Sequence, residues 1–258
     1  MKIGLIGAQG RVGKQICSLV EGNTNVSINT VCEHKDIGKK LLEYPYLNLS
    51  RASVESLSDC DVIIDFSTPA STMHSLDIAK QINKPIVIGV TGFSEQEELL
   101  IKEHSQNIAI FKSSNMSIGV HIVDKVIKDI TKSLLSSDYD IEIIEEHHRN
   151  KVDAPSGTAY KFAQTIADVY QQPLSNMIDN NRFSNNAYNR ENKIGMSSVR
   201  GGNIIGNHSV KFISNDEIIE VKHSACSRML FALGAIKAAQ WLINQKHGLY
   251  GMSDLSIS

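Results

Sequence analysis

Short runs of β-branched and aliphatic residues alternate with amphipathic segments through the first half of the chain. The runs are KIGLIG (2–7), SINTVCEH (27–34), DVIIDFS (61–67), PIVIGVT (85–91) and NIAIFKS (107–113). Most are separated by stretches such as 11–21, 70–82 and 94–105, where apolar residues recur at helical spacing and Ser or Thr stands near the start. Strands that are apolar almost without interruption have both faces covered, and helical crossovers supply that cover in a parallel sheet. The pattern predicts a doubly wound α/β domain.

After Ser117 the pattern changes. A long helical run, IGVHIVDKVIKDITKSLL, leads to an alternating strand, YDIEIIEEHH, and then to a helix over about 156–170. Strands follow near 197–200, 207–214 and 217–225. This mixture predicts a second, smaller α+β domain with an open or mixed sheet. The last helical segment, 227–246 with Trp241, suits a cover for either domain. The asparagine-rich SNMIDNNRFSNNAYNRENK reads as a surface loop in preference to a lid or an interface arm.

Composition narrows the function classes. The 258 residues suffice for one large or two modest domains, and 41% hydrophobic with 21% charged residues is an ordinary globular balance. A net charge of −2 offers no electrostatic reason to expect nucleic acid or an acidic membrane surface. The apolar start of the chain is broken by glycines, Gln9 and Arg11, so it does not read as a signal peptide, and no run is long enough to span a bilayer. Cys17, Cys32, Cys60 and Cys226 are scattered, with no metal-ligand spacing. They read as reduced, mostly core thiols of a cytoplasmic protein.

GLIGAQGRVGKQI sits where the first strand meets the first helix, the position of a dinucleotide fingerprint. Glycines there permit a tight turn and let backbone N–H groups approach a pyrophosphate at the helix N-terminus. The spacing is Gly7, Gly10, Gly13, with Gln9 and Val12 where the usual pattern has glycine. Glu33, twenty positions past Gly13 at the end of the second strand, is placed to accept hydrogen bonds from the adenosine ribose. Glu33 repels a 2′-phosphate whereas His34, Lys35 and Arg11 attract one, so NADH and NADPH both stay open. Two further strand ends, GVTG (89–92) and SSNMS (113–117), put small and polar residues at the carboxyl edge of the sheet, as ligand contacts or as plain turns.

The second candidate site is EEHHRNKVDAPSGTA (145–159). His147 and His148 leave the end of a strand in opposite directions. Lys151 follows in the loop, with Pro155 near the first turn of the next helix. Ser156, Gly157 and Thr158 then supply open N–H groups and two hydroxyls at a helix start, a cradle for a carboxylate or phosphate. Imidazole, ammonium and anion cradle together suit a reaction in which hydride reaches a conjugated acid or imine and a nearby donor supplies the proton. His74, His104, His121, His208, His223 and His247 read as structural.

That stretch, with GAQGRVG, DFSTPAS, IGVTGF, SSNMSIGV and SSVRGGNIIGNHSV, resembles over nearly the whole chain the 4-hydroxy-tetrahydrodipicolinate (dihydrodipicolinate) reductase family of diaminopimelate and lysine synthesis. The resemblance implies His147 as the acid/base group and Lys151 as proton donor, with His148, Ser156, Gly157 and Thr158 on a dicarboxylate substrate. It places Gly7, Ala8, Gln9, Gly10, Arg11, Val12, Glu33 and His34 on NADH or NADPH. Gly89, Val90 and Thr91, then Ser113, Ser114, Asn115 and Met116, join them on the cofactor. It also implies a Rossmann-like domain (1–116, with 229–258 packing back onto it), a substrate and oligomerisation domain (117–228), a homotetramer and no metal. An aspartate-semialdehyde dehydrogenase would need a cysteine nucleophile in a polar, helix-start setting, and a nucleotide-sensing regulator a basic DNA-reading helix. Neither is apparent in the sequence.

Overall fold

The computed structural model describes residues 1–41, 44–135, 138–179 and 193–255. In chain order the elements are β1 (Lys2–Ile6), α1 (Arg11–Val20), β2 (Ser27–Cys32), β3 (Lys40–Leu41), β4 (Tyr44–Ser50), α2 (Val54–Leu57) and β5 (Val62–Asp65). There follow α3 (Pro69–Gln81), β6 (Ile86–Ile88), α4 (Glu95–His104), β7 (Ala109–Lys112), α5 (Ile118–Leu134), β8 (Asp140–His147), α6 (Gly157–Tyr170), α7 (Leu174–Met177) and β9 (Ile178–Asp179). The chain ends with β10 (Ile194–Arg200), β11 (Asn207–Ile213), β12 (Ile218–Ser224), α8 (Met229–Leu242) and β13 (Gly248–Tyr250). It divides into two compact units, Met1–Ile118 with Arg228–Ser258, and Gly119–Ser227.

The first unit is built on an eight-stranded sheet of order β13-β7-β6-β5-β1-β2-β4-β3, parallel except for β3. Alternation along its strands feeds two cores. Ile3, Leu5, Ile64 and Phe111 pack with α1 and α8, while Ile63, Ile86, Ile88 and Ile110 pack on the other face with Leu76 and Ile101 of α3 and α4. Helix α1 buries Gly13, Ile16, Cys17 and Val20, the i, i+3, i+4, i+7 stripe of a surface helix. Ser94 and Glu97 form a capping box that starts α4, a device worth about 1 kcal/mol. The ambiguous last helix, α8, belongs to this unit. Its Gly234 lets the Met116 carbonyl approach so closely that a Cβ would lie 1.7 Å from that oxygen.

The second unit has a five-stranded mixed sheet of order β12-β11-β8-β10-β9. Ile141 and Ile143 of β8, with Val210, Phe212 and Ile194, pack against Phe162 and Ile166 of α6 and Ile127 of α5. The opposite face is open, and β8 alternates half-buried and buried residues along its whole length. Elements absent from the sequence pattern are β4 and the short β3, α2, α7, β9 and β13. Residues 180–192, most of the asparagine-rich stretch, lie outside the described residues. No described helix is long and apolar enough to cross a membrane.

Candidate active site

The first unit gathers its predicted ligand residues along one edge of the sheet. The chain runs outward from β1 to β2 and β4 on one side and, through β5, to β6 and β7 on the other. The topological switch therefore falls between β1 and β5, where open α/β sheets bind ligands at their carboxyl ends. Gly7 has φ +83°, and a Cβ there would lie 2.7 Å from the Phe66 carbonyl oxygen; one on Gly13 would lie 2.2 Å from the Gly7 oxygen. Neither position tolerates a side chain, so the GxxGxxG spacing serves the tight turn that the usual fingerprint also needs. Gly10 is the N-cap of α1 and brings no side chain to its first-turn N–H groups.

Ala8, Gln9, Arg11 and Val12 complete this loop, and the Gln9 N–H donates to Glu33 Oε1 at 2.7 Å. Gly7, Glu33 and His34 line a cavity of about 200 Å³ with Arg51, Ser71 and His74. Gly89 follows β6 and leaves room for the Phe66 ring, with Val90 buried and Thr91 exposed after it. After β7 the turn is held by Ser113, whose hydroxyl donates to the Asn115 carbonyl at 2.7 Å; Ser114 is exposed and Met116 buried. The uncapped helix start and two side-chain-excluding glycines fit a dinucleotide pyrophosphate. Asp65, at the end of β5, is fully buried. Its Oδ1 accepts from the Ser67 N–H and hydroxyl, its Oδ2 has no hydrogen-bond partner among the described residues, and burial raises its pKa.

In the second unit the alternation of β8 places Glu145 and His147 on the same covered face as Ile141 and Ile143. A polar pair therefore replaces the apolar pattern just where the strand meets the start of α6. Buried polar groups must be partnered, and these are. His147 Nδ1–H donates to Glu145 Oε2 at 2.5 Å. Arg200, opposite His147 on β10, grips both Glu145 oxygens at 2.9 and 2.6 Å, and the Ser156 N–H donates to Oε1 at 3.2 Å. Burial pushes the Glu145 carboxyl up, but hydrogen bonds from Arg200, Ser198 and His147, with the Arg200 charge, outweigh it and hold it below its usual value. Burial, helped by the Lys151 and Arg200 charges and opposed by Glu145, holds the His147 pKa below its usual value. The geometry is thus a carboxylate neutralised by arginine and beside a neutral imidazole.

With Nδ1 carrying the proton, His147 Nε2 is an acceptor. It faces Gly206, where an added Cβ would lie 2.9 Å away. His208 packs edge-on to His147 at 5.1 Å and shares a 2.9 Å hydrogen bond with the Ser156 hydroxyl. Burial first, then the neighbouring His147, lowers the His208 pKa to about 4.

The cradle is narrower than the sequence suggests. Ser156 is buried; its N–H is taken by Glu145, and its hydroxyl caps α6 by accepting from the Ala159 N–H at 3.2 Å. Gly157 is exposed, with open space where a Cβ would stand, and Thr158 follows it in the first turn. Pro155 precedes the cap instead of lying in the first turn. His148 is half-buried; Lys151 Nζ donates to Asp153 Oδ1 at 2.8 Å. Sequence reasoning passed over Glu145, Arg200 and Gly206 and set His208 apart as structural. The signal available was the strand alternation, which puts Glu145 on the apolar face.

Residues 1–116 match the family model for the dihydrodipicolinate reductase N-terminus, and 119–255 the model for its C-terminus. The chain is 35% identical to the 4-hydroxy-tetrahydrodipicolinate reductase of Psychrobacter arcticus, covering 99% of this chain and 94% of that protein. To the enzyme of the same name from Wolinella succinogenes it is 40% identical, covering 98% of each. Among solved structures, the dipicolinate-bound dihydrodipicolinate reductase from Paenisporosarcina sp. TG-14 superposes with a TM-score of 0.78 at 26% identity over 99% of both chains. Matched from end to end by both halves of one family, the chain belongs to the dihydrodipicolinate reductases.

Proposed function

We propose that this chain reduces 4-hydroxy-tetrahydrodipicolinate to tetrahydrodipicolinate with NADH or NADPH, in the diaminopimelate route to lysine. The observation that carries this reading is the Glu145–His147 pair beside Lys151 and the start of α6, in a chain of this family. The first unit holds the dinucleotide through the Gly7–Val12 loop, Glu33, His34, Gly89–Thr91 and Ser113–Met116. When bound, the reduced nicotinamide supplies a hydride. The second unit holds the substrate. Gly157 and Thr158 at the N-terminus of α6 receive a ring carboxylate, where the helix dipole favours negative charge. His148 adds a contact, and Ser156 acts from behind, by fixing the helix start and Glu145.

Loss of water from the hydroxylated ring requires a proton acceptor, and the neutral His147, with Nδ1–H committed to Glu145, offers Nε2. Hydride addition at carbon 4 leaves electrons on the adjacent carbon, and Lys151 delivers the proton that completes the reduction. Burial raises the Cys32 thiol and pushes Cys60 to about 11, so neither is a ready nucleophile. The enzyme acts in the cytoplasm as a homotetramer built by the second unit. Support for that assembly comes from the open face of its sheet, which exposes Val199 (45%) and Ile218 (61%).

The test is loss of NADH or NADPH absorbance when purified protein meets substrate condensed in situ from pyruvate and aspartate semialdehyde. Rapid oxidation dependent on both precursors is expected. Absence of oxidation with nucleotide binding intact would overturn the reading.

A further inference from the structure

His208 stands opposite Glu145 in the β8–β11 ladder and is buried on the same covered face. Three groups meet its ring. Nε2 shares a 2.9 Å hydrogen bond with the Ser156 hydroxyl, the Phe162 ring lies edge-on at 6.0 Å, and the His147 ring lies edge-on at 5.1 Å. Two of the three belong to one helix, since Ser156 is the N-cap of α6 and Phe162 lies in its second turn. His208 Nδ1 has no hydrogen-bond partner among the described residues. An apolar side chain would fill the same space without the cost of burying an unpaired nitrogen, so packing alone does not account for a histidine here.

We propose that His208 is a positioning residue for the substrate: its hydrogen bond to Ser156 fixes the start of α6, and with it the carboxylate cradle at Gly157 and Thr158. The inference rests on the proposed reading of that helix start as the substrate's carboxylate site. Ser156 is a junction. Its N–H donates to Glu145 and its hydroxyl oxygen accepts from the Ala159 N–H, both at 3.2 Å, and the bond to His208 is the shortest of the three. Gly157, next along the chain, is exposed and has open space around it, so the placing of the cradle depends on the residue before it. A rival role is the orientation of His147 through the edge-on contact. That imidazole is already oriented by Glu145, and the ring contact carries no hydrogen bond. Burial, which lowers the His208 pKa to about 4, keeps the ring neutral near neutral pH, so it holds the cap without bringing a charge to the site.

Calorimetric titration of dipicolinate, the dicarboxylate bound in the Paenisporosarcina structure, into the full chain at saturating NADH tests this. His208→Met and His208→Gln introduce side chains of equal length, and only Gln can donate to the Ser156 hydroxyl. His208→Met weakens dipicolinate by about five- to tenfold, the scale of a lost buried hydrogen bond, whereas His208→Gln stays within about twofold of wild type. In steady-state kinetics the Met variant raises the substrate KM by a larger factor than it lowers kcat, and NADH affinity is unmoved in either variant. Ser156→Ala severs the bond from the other side, so in that background the Gln and Met variants bind dipicolinate alike. Melting curves confirm folding, and His208→Leu takes the place of the Met variant if that one does not fold. Unchanged dipicolinate affinity in the folded Met variant, equal weakening by Met and Gln, a Gln–Met difference that persists with Ser156→Ala, or a fall in kcat with KM unmoved would overturn the positioning role while leaving the substrate reading intact. Failure of the wild type to bind dipicolinate at saturating NADH would overturn both.

Discussion

Glu145 accepts the Nδ1 proton of His147 at 2.5 Å from two positions back on the same strand face. The bond fixes the tautomer and turns Nε2 toward Gly206. Because Arg200 neutralises the carboxylate, Glu145 orients His147 without charging it. In the proposed mechanism the neutral imidazole is the working form, so kcat/KM should decline on the acid side as His147 protonates, with the limb below the ordinary histidine value of about 6.5. Glu145→Gln should lower kcat by about 10²-fold or more. Wild-type turnover in that variant would remove His147 from the reaction.

Lys151 is the remaining candidate for the proton donor. Lys151→Ala should cut kcat by about 10²–10⁴ with the fold intact. Asp153→Asn, which removes only the partner at 2.8 Å, should have a much smaller effect. Steady-state kinetics on both variants makes the comparison, and equal losses would mean that the ion pair, not the ammonium, matters.

Arg200→Met strips a buried carboxylate of its bidentate partner. Removing one member of such a pair costs about 3–5 kcal/mol, which chemical denaturation will register. The same variant should raise the His147 pKa, because Glu145 then attracts a proton onto the ring. NMR titration of the imidazole reads this directly, and an unmoved value would break the proposed charge balance.

His147 and His208 are both held below their ordinary pKa, so the unfolded chain binds more protons than the folded one at moderately acid pH. Stability is therefore intact near neutrality and declines as pH falls from about 6.5, the ordinary histidine value, toward the folded value of about 4 for His208. Melting temperatures between pH 8 and 4 should show that decline, and His208→Gln should flatten part of it.

Asp65 has the opposite sign. Its folded pKa is raised by burial, so the folded chain binds the extra proton, and stability falls as pH rises above the ordinary aspartate value. Asp65→Asn keeps an oxygen for Ser67 and removes the buried charge. It should raise the melting temperature at pH 8 and leave it nearly unchanged at pH 4. A uniform shift at both would mean that packing, not ionisation, is responsible.

Much was legible in the chain itself. Near-continuous apolar strands such as VIID and IVI can only be double-covered, so the parallel sheet with helices on both faces follows from residue order and local spacing. The glycine loop was legible despite its unusual spacing, because it lies between a strand and a helix. The marker stretch from Glu145 to Ala159 was legible as chemistry, since its groups are neighbours along the chain. Short edge elements such as β3 and β13 were not, because strands of two or three residues carry no period and exist only by pairing with what lies beside them.

What only the tertiary structure decided is which distant groups meet. Arg200 is 55 positions from Glu145 and His208 is 52 from Ser156, yet each pair is in hydrogen-bond contact, because β10 and β11 flank β8. Sheet order and register impose those encounters, and neither is written in local periodicity. Burial is likewise a tertiary property. It converts His147 from a freely titrating imidazole into a neutral acceptor, and Ser156 from an apparent ligand into a support for Glu145. The sequence determined which chemical groups are available, and the packing of one strand between two others determined their protonation and their partners.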